Sequence, residues 1–122
     1  MTLTFLLDED VRGKLRRAIR QHNSHGANVI DAIFVGDPPD LPLGSADLDI
    51  LRWAERHGRI LLTRDVNTMP GHFVQHLKAG HRSPGLLILK RGFSLPKIVA
   101  ALALIAHASN PADYFDQIDF IP

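Results

Sequence analysis

Three acids follow one another at Asp8-Glu9-Asp10, directly after the apolar run Thr4-Phe5-Leu6-Leu7, and a fourth, Asp65, closes a similar run, Arg59-Ile60-Leu61-Leu62-Thr63-Arg64. Asp47 opens a third segment with apolar residues at helical spacing. Carboxylates brought together repel one another unless a cation neutralises them, so the chemistry that this pattern suggests is the binding of a divalent metal. The chain has no cysteine, and hard oxygen donors without thiolates favour Mg²⁺ or Mn²⁺ over zinc. Asp8, Asp47 and Asp65 are the principal candidates. Glu9, Asp10 and Asn67 are secondary ones. A metal held this way activates water and stabilises the charge that develops on a phosphate, which is the chemistry of phosphodiester cleavage.

For the three acids to meet, the elements that carry them must end at one edge. Short, continuous apolar runs are typical of strands covered on both faces of a parallel sheet, and ligands in such sheets gather beyond the carboxyl ends of the strands. Strands are expected at Thr4–Leu7, Ala27–Ile30 ending at Asp31, Arg59–Thr63, Leu86–Leu89 and Gln117–Ile121. Between them, helices are expected from about Val11 to His22, from Ser45 as cap to His57 with Gly58 as stop, from Thr68 or Met69 to Ala79, and from Ser94 to Ala108. The proline-rich stretch from Ile33 to Ser45 reads as a long loop. Helix steps of about 100° put Asp47, Ile50, Leu51 and Ala54 on one face, opposite Asp49, Arg52 and Arg56. Alternating strands and helices with short connections imply an α/β fold: a three-layer α/β/α sandwich with a mainly parallel sheet and right-handed connections throughout.

The whole chain, 122 residues with 45% hydrophobic and 22% charged residues, fits a single domain spanning 1–122. A net charge of +1 does not by itself announce nucleic-acid binding, so cationic partners for a phosphate backbone must come from local clusters. Arg12, Lys14, Arg16, Arg17 and Arg20 form one on the first helix, and Lys90 and Arg91 would leave the fourth strand at the acidic edge. The longest apolar stretch is too short for a bilayer and no basic-then-apolar leader precedes Asp8, so the expectation is a cytoplasmic protein without a membrane partner.

Phe5-Leu6-Leu7-Asp8-Glu9-Asp10, Ser45-Ala46-Asp47 with Ile50, Leu51 and Ala54, and Gly58-Arg59-Ile60-Leu61-Leu62-Thr63-Arg64-Asp65, in this order, resemble the short bacterial PIN-like family. The resemblance covers about the first two thirds of the chain, and Pro84-Gly85-Leu86-Leu87-Ile88-Leu89 is similar to a later strand of the family. It implies a PIN-type fold and a Mg²⁺- or Mn²⁺-dependent ribonuclease site acting on single-stranded RNA. It also implies kinship with the toxins of toxin–antitoxin systems, hence a possible antitoxin partner. On it Asp8, Asp47 and Asp65 are the metal-binding acids, and Thr63 is a hydroxyl near the site, grouped with Arg12, Arg16, Lys90 and Arg91 as substrate-binding candidates. The chain departs from the family pattern at Asp10, where asparagine is usual, and at Asn67, where a second acid is usual.

Two rival readings follow from the same residues. A catalytically decayed interaction domain would keep the fold and lose the metal, and Asn67 favours it. A receiver-like phospho-accepting domain also places acids after strands one and three, but lacks the lysine expected after the last strand. His72 and His76, one turn apart, have a spacing that can hold zinc, yet Phe73 stands where a zinc protease has glutamate, and they are read as surface histidines. Finally, Ile98 to Ala106 is apolar around the whole helix, so a face left over from the sheet is expected to meet a second copy, giving a homodimer.

Overall fold

The computed structural model describes residues 2–11 and 13–122. Along the chain lie β1 (Thr4–Leu7), a 3₁₀ turn (Glu9–Val11), α1 (Lys14–Asn23), β2 (Asp31–Phe34), α2 (Asp47–His57) and β3 (Ile60–Thr63). They are followed by α3 (Met69–Lys78), β4 (Leu86–Leu89), α4 (Leu95–Ala108), a second 3₁₀ turn (Pro111–Asp113) and β5 (Ile118–Ile121). The strands form one all-parallel sheet in the order β2-β1-β3-β4-β5. This is a parallel α/β sandwich, as the alternation of strand and helix patterns implies. Among the described residues, no helix is long and apolar enough to cross a membrane.

The sheet divides the core by strand alternation. Phe5 and Leu7 of β1, with Leu62 and Leu87, face Leu15 and Ile19 of α1 and Ile98 and Leu102 of α4. Leu6, Leu61, Leu86 and Ile88 point the other way, onto Ile50, Leu51 and Ala54 of α2 and Met69 and Phe73 of α3. Because both faces are covered, β1, β3 and β4 are apolar at nearly every position, which is why they were legible as runs rather than as alternation.

Two elements differ from expectation. The first helix does not run from Val11: Gly13 adopts φ 81°, a left-handed conformation that an α-helix cannot contain, so Val11 closes a 3₁₀ turn and α1 starts at Lys14. The second strand lies at Asp31–Phe34 and not at Ala27–Ile30. Asn23 explains the shift, since its side chain donates to the Ile30 carbonyl and accepts from the Ile30 N–H, both at 2.8 Å, and so occupies the groups a ladder would use. Ser45 also fails to cap α2. Its hydroxyl donates to the Pro42 carbonyl at 2.6 Å, and Ala46 takes the cap position.

The connections are not all of one hand. The chain steps from β1 to β2 towards one edge, then from β2 through β3 and β4 to β5 towards the other. A uniform hand would place α1 on one face and α2, α3 and α4 on the opposite one. α2 and α3 do share a face, but α4 packs beside α1. The β4–α4–β5 unit is therefore of opposite hand to the others. The physical reason is coverage: α1 alone would leave Leu3, Leu62 and Leu87 open to water, and α4 closes over them. The return segment between α4 and β5 is long enough to allow this, and it passes so close to β4 that a Cβ on Gly85 would stand 2.7 Å from the Tyr114 carbonyl oxygen. On α4, Leu102 is fully buried while Leu104 is 67% exposed, so one apolar position does face outward.

Candidate functional site

The strand order puts a switch in direction between β1 and β3, the crevice where open α/β sheets receive ligands. β1 delivers Asp8 to that edge, β3 delivers Thr63 and Asp65, and the first turn of α2 delivers Asp47. Asp8 is only 7% exposed. Its Oδ1 accepts the Glu9 N–H at 2.8 Å, and its Oδ2 accepts the Thr63 hydroxyl at 3.0 Å. Burial, reinforced by Asp10 and Asp47, pushes its carboxyl up from 3.8 to about 6, against the two hydrogen bonds that favour the charged form.

Thr63 is the hub of the cluster. Its Oγ1 lies 3.3 Å from Asp10 Oδ2 as well as 3.0 Å from Asp8, and it accepts the Asp65 N–H at 3.1 Å. One hydroxyl proton thus serves two carboxylates. Asp10 is also pushed upward, chiefly by burial, with Asp65 adding to the shift and the Arg64 N–H and Thr63 opposing it.

Asp65 is in the opposite condition. Thr68 donates its hydroxyl to Oδ2, and the N–H groups of Asn67, Thr68 and Met69 donate to the same carboxylate at 2.9, 2.9 and 3.2 Å. The Thr68 hydroxyl is the main cause of a carboxyl held below its ordinary range. Asp47 Oδ2 is 2.8 Å from His72 Nδ1 and accepts the Thr68 hydroxyl at 3.4 Å.

The structure therefore brings Asp8, Asp10, Asp47 and Asp65 to one edge, with Asp10 and Asp47 near enough to raise Asp8 and Asp65 near enough to raise Asp10, but each is already engaged. Glu9 turns outward, its Oε1 accepting the Gly44 N–H at 3.1 Å. Asn67 is exposed beside Asp65. Of the cationic candidates, Lys90 and Arg91 are exposed just beyond β4. Arg16 is committed to Asp37 at 2.8 Å and lies over the Phe34 ring. Arg12 falls outside the described residues. Sequence reasoning did not single out His72 as a partner of Asp47, although its place in the first turn of α3, just after Thr68, could have suggested it. It also omitted Arg64, exposed between Thr63 and Asp65.

A second group lies at the opposite, N-terminal edge of the sheet. Glu55 of α2, His76 of α3 and His81 of the following loop have ligand atoms all within 4.8 Å of one another, a grouping that could hold a metal ion. It is the one such trio of histidine and acid side chains among the described residues. Glu55 Oε1 is 3.1 Å from His81 Nδ1 and 3.3 Å from His76 Nε2, while Oε2 accepts the Arg82 N–H at 3.0 Å. Burial opposes ionisation of Glu55, but the Arg82 N–H and the two imidazoles outweigh it and hold the carboxyl below its ordinary value.

His76 is not a surface histidine: it is 1% exposed, and its ring stacks on that of His81 with centroids 4.7 Å apart. The signal was its spacing, since Met69, Phe73 and His76 recur on one stripe of α3. Nor do His72 and His76 share a ligand. α3 carries the first to the acidic edge and the second to the other end. Compared with models of protein families, with curated proteins and with solved structures, the chain finds no match in any of the three.

Proposed function

We propose that this chain is a PIN-like, Mg²⁺- or Mn²⁺-dependent ribonuclease acting on single-stranded RNA at the edge formed by Asp8, Asp47 and Asp65. The observation that carries the reading is Asp8: a nearly buried carboxyl among other acids, pushed to about 6, at the switch between β1 and β3. Such a group is costly to ionise without a cation and binds one strongly once its neighbours turn towards it. The metal supplies a water of lowered pKa and neutralises charge on the scissile phosphate. Asp8 is the fixed ligand. Asp47 and Asp65 would hold the cation with it, the one turning from His72 and the other from its loop contacts, while Asp10 shares the Thr63 hydroxyl with Asp8. Arg64, Lys90 and Arg91 are placed to meet the phosphate backbone. An antitoxin-like protein would bind over this edge, and Leu104 of α4 gives a twofold contact an apolar centre.

A second reading, a metal-free interaction domain, is favoured by one specific feature: Asp47 and Asp65 already have donors, His72 for the first and the Asn67 to Met69 segment for the second. Thermal denaturation with added Mn²⁺ separates the two, because a ligand that binds only the folded chain raises its melting temperature. The nuclease reading requires a rise that Asp8→Asn abolishes and a labelled single-stranded RNA that is cut only when the cation is present. An unchanged melting temperature together with intact RNA leaves the interaction domain.

A further inference from the structure

We infer that Glu55, His76 and His81 form a separate centre for a zinc-type transition metal, on the side of the sheet remote from the acidic edge. The inference is independent of the nuclease reading. Two imidazoles and one carboxylate are borderline donors that suit Zn²⁺ or Co²⁺ better than Mg²⁺. The two spacings to Glu55 fit as well. Tetrahedral bonds of about 2.0–2.1 Å separate neighbouring ligand atoms by about 3.3 Å, and Glu55 Oε1 stands 3.1 and 3.3 Å from the two histidine nitrogens. A charged hydrogen bond prefers about 2.7–2.9 Å, so the same contacts are long for a pair of ion-assisted bonds.

The three residues come from three different elements, α2, α3 and the loop leading to β4, each held by the fold. His76 is fixed by burial in the α2–α3 side of the core, and Glu55 by the Arg82 N–H. His76 Nδ1 is buried without a partner, and the nitrogen that faces Glu55 is Nε2. In the metal-free state Nε2 faces the Arg82 carbonyl at 2.9 Å. Metal binding at Nε2 releases that contact and moves the ring proton to Nδ1. That unpartnered proton weakens the site, which sets the expected affinity at roughly micromolar and not the far tighter range of zinc fingers. Glu55 also lines a surface pocket of about 380 Å³ with Arg82, Ser83 and Phe115, so solvent has access to the carboxylate and can complete a fourth position.

The probes are Zn²⁺ in calorimetry and Co²⁺ in visible absorption, with untagged protein. The expected result is one Co²⁺ per chain with the strong bands of four-coordinate cobalt, displaced by Zn²⁺. His81→Ala and Glu55→Gln should each weaken binding at least tenfold. Both side chains are partly exposed, 38% and 30%, so these variants leave the core intact. Asp8→Asn should not alter the cobalt spectrum, and His81→Ala should not alter Mn²⁺-dependent RNA cleavage. Absence of Zn²⁺ binding up to about 0.1 mM overturns the inference. So does binding that survives both substitutions, as a site at His22 of α1 and His25 of the turn that follows would.

Discussion

His72 Nδ1 stands 2.8 Å from Asp47 Oδ2, which also accepts the Thr68 hydroxyl at 3.4 Å, so this oxygen of a candidate metal ligand in the first turn of α2 is already engaged. Metal binding through Oδ2 would have to break the His72 contact. His72→Ala should therefore raise the affinity for Mn²⁺ about two- to tenfold, the worth of a single hydrogen bond at a partly exposed site. A Mn²⁺ titration of the two proteins measures this. Equal or weaker binding in the variant would mean that Asp47 does not join the cation through Oδ2.

Asp8 gives the apo protein a pH signature. Its folded-state carboxyl titrates near 6 and its unfolded one near 3.8, so the folded chain holds the proton more tightly between those values. Stability from the protonated group is complete below about 3.8 and is lost as pH rises through 6. In the presence of a chelator, Asp8→Asn should be more stable than the parent by about 1–3 kcal/mol at pH 7.5. The difference should vanish near pH 4. Urea unfolding at both pH values reads it directly. A variant less stable than the parent at pH 7.5 would contradict the assignment.

Thr63→Val removes the hydroxyl that Asp8 and Asp10 share. The loss should destabilise the fold by about 1–3 kcal/mol at neutral pH. The penalty should shrink near pH 4.5, where a protonated carboxyl can supply the missing donor. A penalty independent of pH would point to packing and not to the shared proton.

Gly85→Ala tests how the chain returns from α4 to β5. The added methyl would collide with the Tyr114 carbonyl oxygen at 2.7 Å, in a backbone of φ 137° that side chains rarely adopt. A loss of about 2 kcal/mol or more is expected. A thermal melt reads it, and an unchanged melting temperature would show that the return segment is held loosely.

The strands of the central sheet were legible because burial on both faces leaves runs such as Leu86-Leu87-Ile88-Leu89 with nothing polar to confuse them. Helix ends were legible where a residue has only one use there, as at Gly58 and Pro70. The errors share a cause. Ala27 to Ile30 has the composition of a strand, but Asn23, seven residues before Ile30, takes the N–H and carbonyl of Ile30. The side on which α4 packs depends on which face of the sheet still needs cover, a property of the assembled core. At the site, strand ends located Asp8 and Asp65, and helical phase located Asp47. The donors that engage those acids, His72 and Thr68, were not singled out: the first depends on where α3 lies against α2, and the second closes a contact within the loop after β3. His76 was misjudged for the opposite reason: one polar residue on an apolar stripe was taken as surface when the stripe itself pointed inward.

The central claim is that a cation held at Asp8 cuts RNA. The most direct test follows cleavage of a labelled single-stranded RNA by the parent chain and by Asp8→Asn, with Mn²⁺ and with a chelator. The expected result is cleavage only with Mn²⁺, slowed at least about a hundredfold by the substitution while the fold is kept. Equal cleavage by the two proteins, or cleavage that persists in the chelator, would contradict it.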